Sequence, residues 1–185
     1  MSENTRNNQN KSRSAVLDTV FTAAFAAVIA VCSIISIPVG EIPVTLQTFG
    51  ICLAAAMLGF KRGTLSVLVY ILLGAVGIPV FAGMKGGVGV LAGPTGGYII
   101  GFILTAVIVG IAADRFERRA LPLTAAMAVG VLACYALGTV WFMVVMKWGI
   151  AETLAACVLP FIIPDAVKIA LAVLLSNRLS KAVKI

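Results

Sequence analysis

The sequence predicts an all-α, polytopic membrane protein of six transmembrane helices with both termini in the cytoplasm. Three observations predict it: a strongly apolar composition, six apolar segments, and basic residues gathered on one side of them. Of the 185 residues, 61% are hydrophobic and 11% charged, and mean hydropathy is +1.11. Soluble domains are about 45–50% apolar and about 25% charged. Lipid must therefore be the solvent for most of this surface.

Residues 1–14 are polar and rich in Asn, Ser and Arg. They read as a disordered cytoplasmic tail rather than a cleaved leader. The membrane domain, 15–180, opens with an apolar run from Ala15 to Ile37 that is long enough to span. Along this run Ala23 and Ala27, and Ala26 and Ala30, have small-xxx-small spacing. That spacing lets a second helix approach backbone to backbone; the partner is either a helix of this chain or another subunit. Pro38 and Pro43 keep the first outer loop extended, which suits a lid, although an ordinary interfacial loop would look similar. Ile42, Val44 and Leu46 can cover an apolar ligand face there, while Thr45 and Gln47 offer hydrogen bonds.

The second and third segments, Leu46–Phe60 and Gly63–Ile78, form a tight pair broken at Lys61-Arg62-Gly63. Each is shorter than the about 20 residues of a full span, as befits tilted pieces buried by neighbours. Val80–Thr95 follows, dominated by glycine. Gly83, Gly93 and their companions permit close backbone approach to a ligand, although a flexible re-entrant connector would have the same composition. Gly86-Gly-Val-Gly lacks the strand-to-helix context of a nucleotide-binding fingerprint. The fourth segment runs over Gly96–Ala113, the fifth over Leu121–Met146 and the sixth over Thr153–Leu175. Residues 181–185 form a second cytoplasmic tail. No internal repeat is evident, so the inverted-repeat architecture of many secondary transporters is not supported.

The net charge of +7 would suggest nucleic acid for a soluble chain. Here its placement points to the bilayer instead. With six spans, Arg6, Lys11, Arg13, Lys61, Arg62, Arg115, Arg118, Arg119, Arg178, Lys181 and Lys184 fall on one side. Only Lys85 and Lys147 fall on the other. The positive-inside rule makes the crowded side cytoplasmic. The four cysteines lie within apolar runs and form no CxxC, which suggests neither a disulfide framework nor a metal site. The absence of histidine removes the usual zinc, haem and general-base chemistries.

The most informative stretch is Pro160–Lys168. Lys168 lies ten residues before Arg178, the inner edge of the sixth helix, hence about 15 Å along it. That is near the middle of a hydrocarbon core about 30 Å thick. Asp165 sits one turn nearer the outside. A lone charge at such depth costs about 2.5–3.5 kcal/mol, and the i, i+3 spacing places both charges on one inward face. Pro160 and Pro164 free carbonyls that only a polar cavity or neighbours can satisfy. One reading is an ion pair that fixes helix packing. The other is a site for a small polar ligand entering from outside, with Lys168 facing a ligand carboxylate and Asp165 accepting N–H bonds from an amide or ureide.

Ile42-Pro-Val-Thr-Leu-Gln-Thr-Phe-Gly50, Leu72–Gly83, Gly93-Pro-Thr-Gly-Gly-Tyr-Ile-Ile-Gly-Phe102 and Pro164-Asp-Ala-Val-Lys168, in this order, resemble the BioY family, the biotin-specific S components of energy-coupling factor (ECF) transporters. The resemblance implies six helices around an outward-facing biotin pocket in a prokaryotic cell membrane. It implies that Asp165 and Lys168 contact biotin, and that the first loop and glycine-rich segment close over it. Thr45, Gln47, Gly83, Gly93, Thr95 and Tyr98 complete the expected substrate-binding set. It further implies that Ala23 and Ala27 meet a membrane coupling (T) subunit, and that two ATP-binding cassette subunits hydrolyse ATP, since this chain has no ATP-binding motif. A ligand-contacting polar side chain is expected around Met84-Lys85-Gly86, without assignment to Lys85. Biotin is then transported ligand rather than cofactor; no catalytic residue and no metal are expected.

The competing reading is a self-sufficient ion-coupled carrier for a small carboxylate-bearing vitamin, with Asp165 in its relay. It needs further embedded carboxylates, yet Asp18, Glu41, Asp114, Glu117 and Glu152 fall at or beyond span ends. An intramembrane aspartyl or metal hydrolase lacks its second aspartate or its histidines.

Overall fold

The structure, a computed structural model, describes the backbone of residues 2–182 and the side chains of residues 15–180. The expected tail at 181–185 therefore lies largely outside the described residues. The first helix, α1 (Ser2–Ile34), carries its membrane-length apolar part over Ala15–Ile34. The polar residues before Ala15, expected as a disordered tail, continue this helix from Ser2. Extending a formed helix adds one hydrogen bond for each residue fixed, whereas starting one is costly.

After α1 the chain forms a two-residue ribbon. β1 (Ser36–Ile37) pairs antiparallel with β2 (Val44–Thr45), Ser36 opposite Thr45. The first outer loop is thus a hairpin closed back onto the end of α1, and Leu46 N–H reaches the Cys32 carbonyl at 3.1 Å.

α2 (Gln47–Ala75) is one helix in sequence but two arms in space. Gly59 breaks it with φ +74° and ψ −170°, a conformation open to glycine and strained for other residues. Beyond Gly59 the chain doubles back. A Cβ on Gly63 would lie 2.7 Å from the Ala55 Cα, and Gln47 reaches Tyr70 at 2.6 Å. Along a straight helix those latter residues would be about 35 Å apart. The break falls at Gly59 rather than at Lys61-Arg62-Gly63, and the reason is the chain leaving the next long helix. Asp114 accepts the Phe60 N–H at 2.9 Å and caps the second arm. Arg118 donates to the Met57 carbonyl at 2.8 Å and caps the first. Both sets of end groups freed by the break thereby find a charged partner. The first arm is buried along nearly its whole length, which explains how so short a piece is tolerated.

α3 (Val88–Ala92) is a single outer turn or so. α4 (Gly96–Arg115) and α5 (Ala120–Met146) then pack closely through small residues. Gly101 faces Cys134, Gly130 faces Thr105, and Gly138 faces Tyr98. Thr105 ties the pair with a 2.9 Å bond to the Gly130 carbonyl. Small residues let helix backbones meet closely where lipid provides no hydrophobic drive.

The sixth apolar segment, expected as one helix, is divided at Val158 into α6 (Ile150–Cys157) and α7 (Leu159–Ala182). Pro160 disfavours helix in the residue before it and cannot donate to the Ala156 carbonyl. α7 turns Phe161, Asp165, Lys168, Ala172 and Ser176 inward, and Ile163, Val167, Leu171 and Leu174 outward. Among the described residues, α1, the two arms of α2, α4, α5 and the α6–α7 pair give the six expected helical passes. The α2 hairpin is central, touching α1, α4 and α7, while α5 joins α4 to α7.

Candidate functional site

A cavity opens between the first arm of α2, α4, α5, α6 and α7, beneath two outer loops. Its volume is ≈ 130 Å³. Its floor is polar. Asp165 and Lys168 are only 3% and 6% exposed. Lys168 Nζ donates to Asp165 Oδ1 at 2.6 Å and to Thr48 Oγ1 at 3.3 Å. Thr48 Oγ1 donates to the same Oδ1 at 2.9 Å, and the Tyr135 hydroxyl donates to Asp165 Oδ2.

Three groups from three elements thus hold one carboxylate. Such a buried charge pair is tolerated only when its remaining hydrogen-bonding capacity is met. Asp165 is met by Thr48, Tyr135 and Lys168. Lys168 has three N–H donors and two protein acceptors, so one N–H is left for the cavity. Net charge at the floor is zero, because each group neutralises the other.

Apolar and aromatic side chains form the walls: Tyr98, Ile99 and Phe102 from α4, Cys134 from α5, Cys157 from α6 and Phe161 from α7. The roof comes from Glu41, Ile42, Pro43 and Thr45 of the first loop and from Phe81, Ala82 and Lys85 of the second. A second polar cluster backs the first loop. Thr45 Oγ1 donates to Gln47 Oε1 at 2.9 Å and accepts the Gln47 N–H at 3.2 Å. Small apolar volume with a few convergent polar groups is the usual form of a ligand pocket.

The structure brings Asp165, Lys168, Thr45, Gln47, Thr95 and Tyr98 to this one cavity. It does not bring Gly83 or Gly93 to the lining. Gly83, at φ +69°, makes the turn that lets Phe81 and Lys85 pair across it. The Gly93 carbonyl is taken by the Trp141 indole N–H at 2.9 Å. Both glycines shape the loop rather than face the space within. Val44 and Leu46 of the first loop likewise stay out of the lining, while Ile42 enters it.

Sequence reasoning missed Thr48, Tyr135 and Phe81. Tyr135 carried a signal: it is a hydroxyl in the middle of an otherwise apolar span, which must find a partner when buried. Thr48 was hidden beside Gln47. Phe81 gave none, since one phenylalanine in a loop says nothing of where it turns. Ala23 and Ala27 point away from the core and are exposed, whereas Ala26 is buried and Ala30 partly so. Of the two small-residue pairs in α1, one serves this chain and the other faces outward.

The BioY family profile matches residues 4–185. The biotin transporter BioY of Thermotoga maritima is 45% identical over 157 residues, covering 85% of this chain and 92% of that protein. The biotin transporter BioY2 of Lactococcus lactis subsp. cremoris is 35% identical over 159 residues, with 85% and 86% coverage. A crystal structure of the S-component for biotin from an ECF-type ABC transporter shares the fold with a TM-score of 0.85. Its sequence identity is 28%, and the match covers 91% of this chain and 93% of that one.

Proposed function

The chain belongs to the BioY family, and on that premise we propose that it captures biotin in its cavity and takes it up as the S component of an ECF-type transporter. The observation that carries this reading is the buried Asp165–Lys168 pair at the floor of a cavity walled by apolar groups. A pair placed only to fix helix packing gains nothing from a neighbouring cavity.

Biotin has a flat ureido ring, an apolar thioether bicycle and a carboxylate tail. The ureido ring suits the floor: its N–H donates to Asp165, and its carbonyl accepts the free N–H of Lys168. The bicycle suits Tyr98, Phe102 and Phe161. This arrangement revises the role first given to Lys168. An ammonium already neutralised by a carboxylate at 2.6 Å is a poor counter-ion for a second one. The tail then extends to the mouth, where Lys85 lines the roof and makes no salt bridge among the described residues.

Both termini lie in the cytoplasm and the mouth faces out, as the basic residues direct. The membrane is the cell membrane. The exposed Ala23 and Ala27 face supports docking of a coupling subunit, and two ATP-hydrolysing subunits complete the transporter. An ion-coupled carrier finds less support. Asp18 pairs with Arg62 at 2.6 Å, Asp114 caps Phe60, and Asp165 alone among the described carboxylates is buried in a span.

The test is equilibrium binding of biotin to the purified full chain in detergent without ATP. Saturable one-to-one binding is expected. A well-folded chain that takes up no biotin overturns the reading.

A further inference from the structure

One buried group that does not line the cavity touches both segments that roof it. Tyr70, in the second arm of α2, is 0% exposed. Its hydroxyl accepts from Gln47 Nε2 at 2.6 Å and donates to Ser33 Oγ of α1 at 3.1 Å. Gln47 Oε1 in turn accepts from Thr45, so the hydroxyl anchors the foot of the first loop through two side chains that line the cavity. The Tyr70 ring also packs edge-to-face on Phe81, with centroids 5.6 Å apart and planes at 85°. Phe81 is the fully buried side chain by which the second loop enters the cavity. It fits only because Gly74 has no side chain: a Cβ there would lie 2.1 Å from Phe81 Cζ.

We propose that Tyr70 is a positioning residue that latches both roof loops over bound biotin, the first through its hydroxyl and the second through its ring. This rests on the biotin reading above. Lifting the first loop pulls Thr45 away from the Gln47 Oε1 that Tyr70 holds in place, and a buried polar atom left unpaired is costly. Lifting the second withdraws Phe81 from an aromatic contact and its socket beside Gly74. Ligand leaves only after the loops lift, so weakening the latch acts on release. Interface changes are in general felt mostly in dissociation rather than association.

The experiment measures biotin association and dissociation rates on the purified full chain, with melting of the ligand-free protein alongside. Y70F removes the oxygen and keeps the ring; dissociation is expected to quicken about fivefold with association unchanged. G74A displaces Phe81 and leaves the hydroxyl network; release is expected to quicken about tenfold. Y70L removes both contacts, and its effect should approach the product of the two, about 50-fold. Should Y70L fail to fold, Y70F and G74A decide the matter. Wild type that binds biotin, with release unchanged in both Y70F and G74A, overturns the latch. So does a Tyr70 variant that lowers the melting temperature of the empty chain without hastening release, which is what a merely space-filling ring would do. Wild type that binds no biotin overturns the functional reading itself.

Discussion

Replacing Asp165 and Lys168 together separates a structural ion pair from a binding site. In Asp165→Asn alone, Lys168 loses its counter-charge and keeps only neutral acceptors, the Thr48 hydroxyl and the new amide oxygen, and the Tyr135 hydroxyl faces an amide. Removing one member of a buried pair costs about 3–5 kcal/mol, so loss of binding in that single variant would be confounded with loss of fold. The double variant Asp165→Asn/Lys168→Met leaves no uncompensated charge, and exchanging a buried pair for neutral groups is often neutral or stabilising. Its melting temperature should lie at or above that of Asp165→Asn. Binding behaves oppositely. One hydrogen bond to a charged group contributes about 1.5–3 kcal/mol, which amounts to roughly 10- to 150-fold in Kd. The double variant loses one such bond at each end of the ureido group, so its affinity should fall at least a hundredfold, as estimated from the same per-bond values. Titration calorimetry, or a fluorescent biotin analogue in competition, measures this directly. A stable double variant that binds biotin within about threefold of wild type, a change smaller than one hydrogen bond's worth, would refute the assignment and leave the pair a packing device.

Four further outcomes follow from the same geometry. Tyr135→Phe removes the donor to Asp165 Oδ2 and should weaken biotin binding by about tenfold while the chain stays folded, as read by the same titration. Lys85→Gln should weaken biotin but leave biotin amide, which has no tail charge, nearly unaffected; equal losses for the two ligands would show that the tail does not meet Lys85. Gly59→Ala forces a side chain into φ +74° and within 2.1 Å of Asp114 Oδ1, and Asp114→Ala removes the cap on Phe60, worth about 0.5–2 kcal/mol. Both should lower the melting temperature, Gly59→Ala by more, and Asp114→Ala should keep its affinity for biotin. Ala23→Trp/Ala27→Trp should bind biotin as wild type does, because both positions are exposed, yet fail to co-purify with a coupling subunit; retained assembly would place that interface elsewhere.

The shared inward face of the charged pair was legible from spacing alone. Ten residues of helix fix the rise from Arg178 to Lys168, and three residues fix a shared face with Asp165, whatever surrounds them. Their partners were not legible. Thr48 lies 117 residues from Asp165 and Tyr135 lies 30 residues away, so their meeting depends on how three helices cross. The glycines show the same limit in reverse. Their number suggested close approach to a ligand, but composition cannot tell a glycine that faces a cavity from one that makes a turn, as Gly83 does, or one that offers its carbonyl to Trp141, as Gly93 does.

By itself, then, the sequence determined the solvent, the helical class, the number of passes and the residues too costly to leave in lipid. Each of these depends on local composition and on the rise of a single helix. Only the tertiary structure decided where the second and third helices part, which alanine pair of α1 faces inward, and which polar groups complete the site. The break at Gly59 needs Asp114 and Arg118, residues more than fifty positions away. Such choices are energies of contact between distant segments, and a periodicity read along one segment contains no term for them.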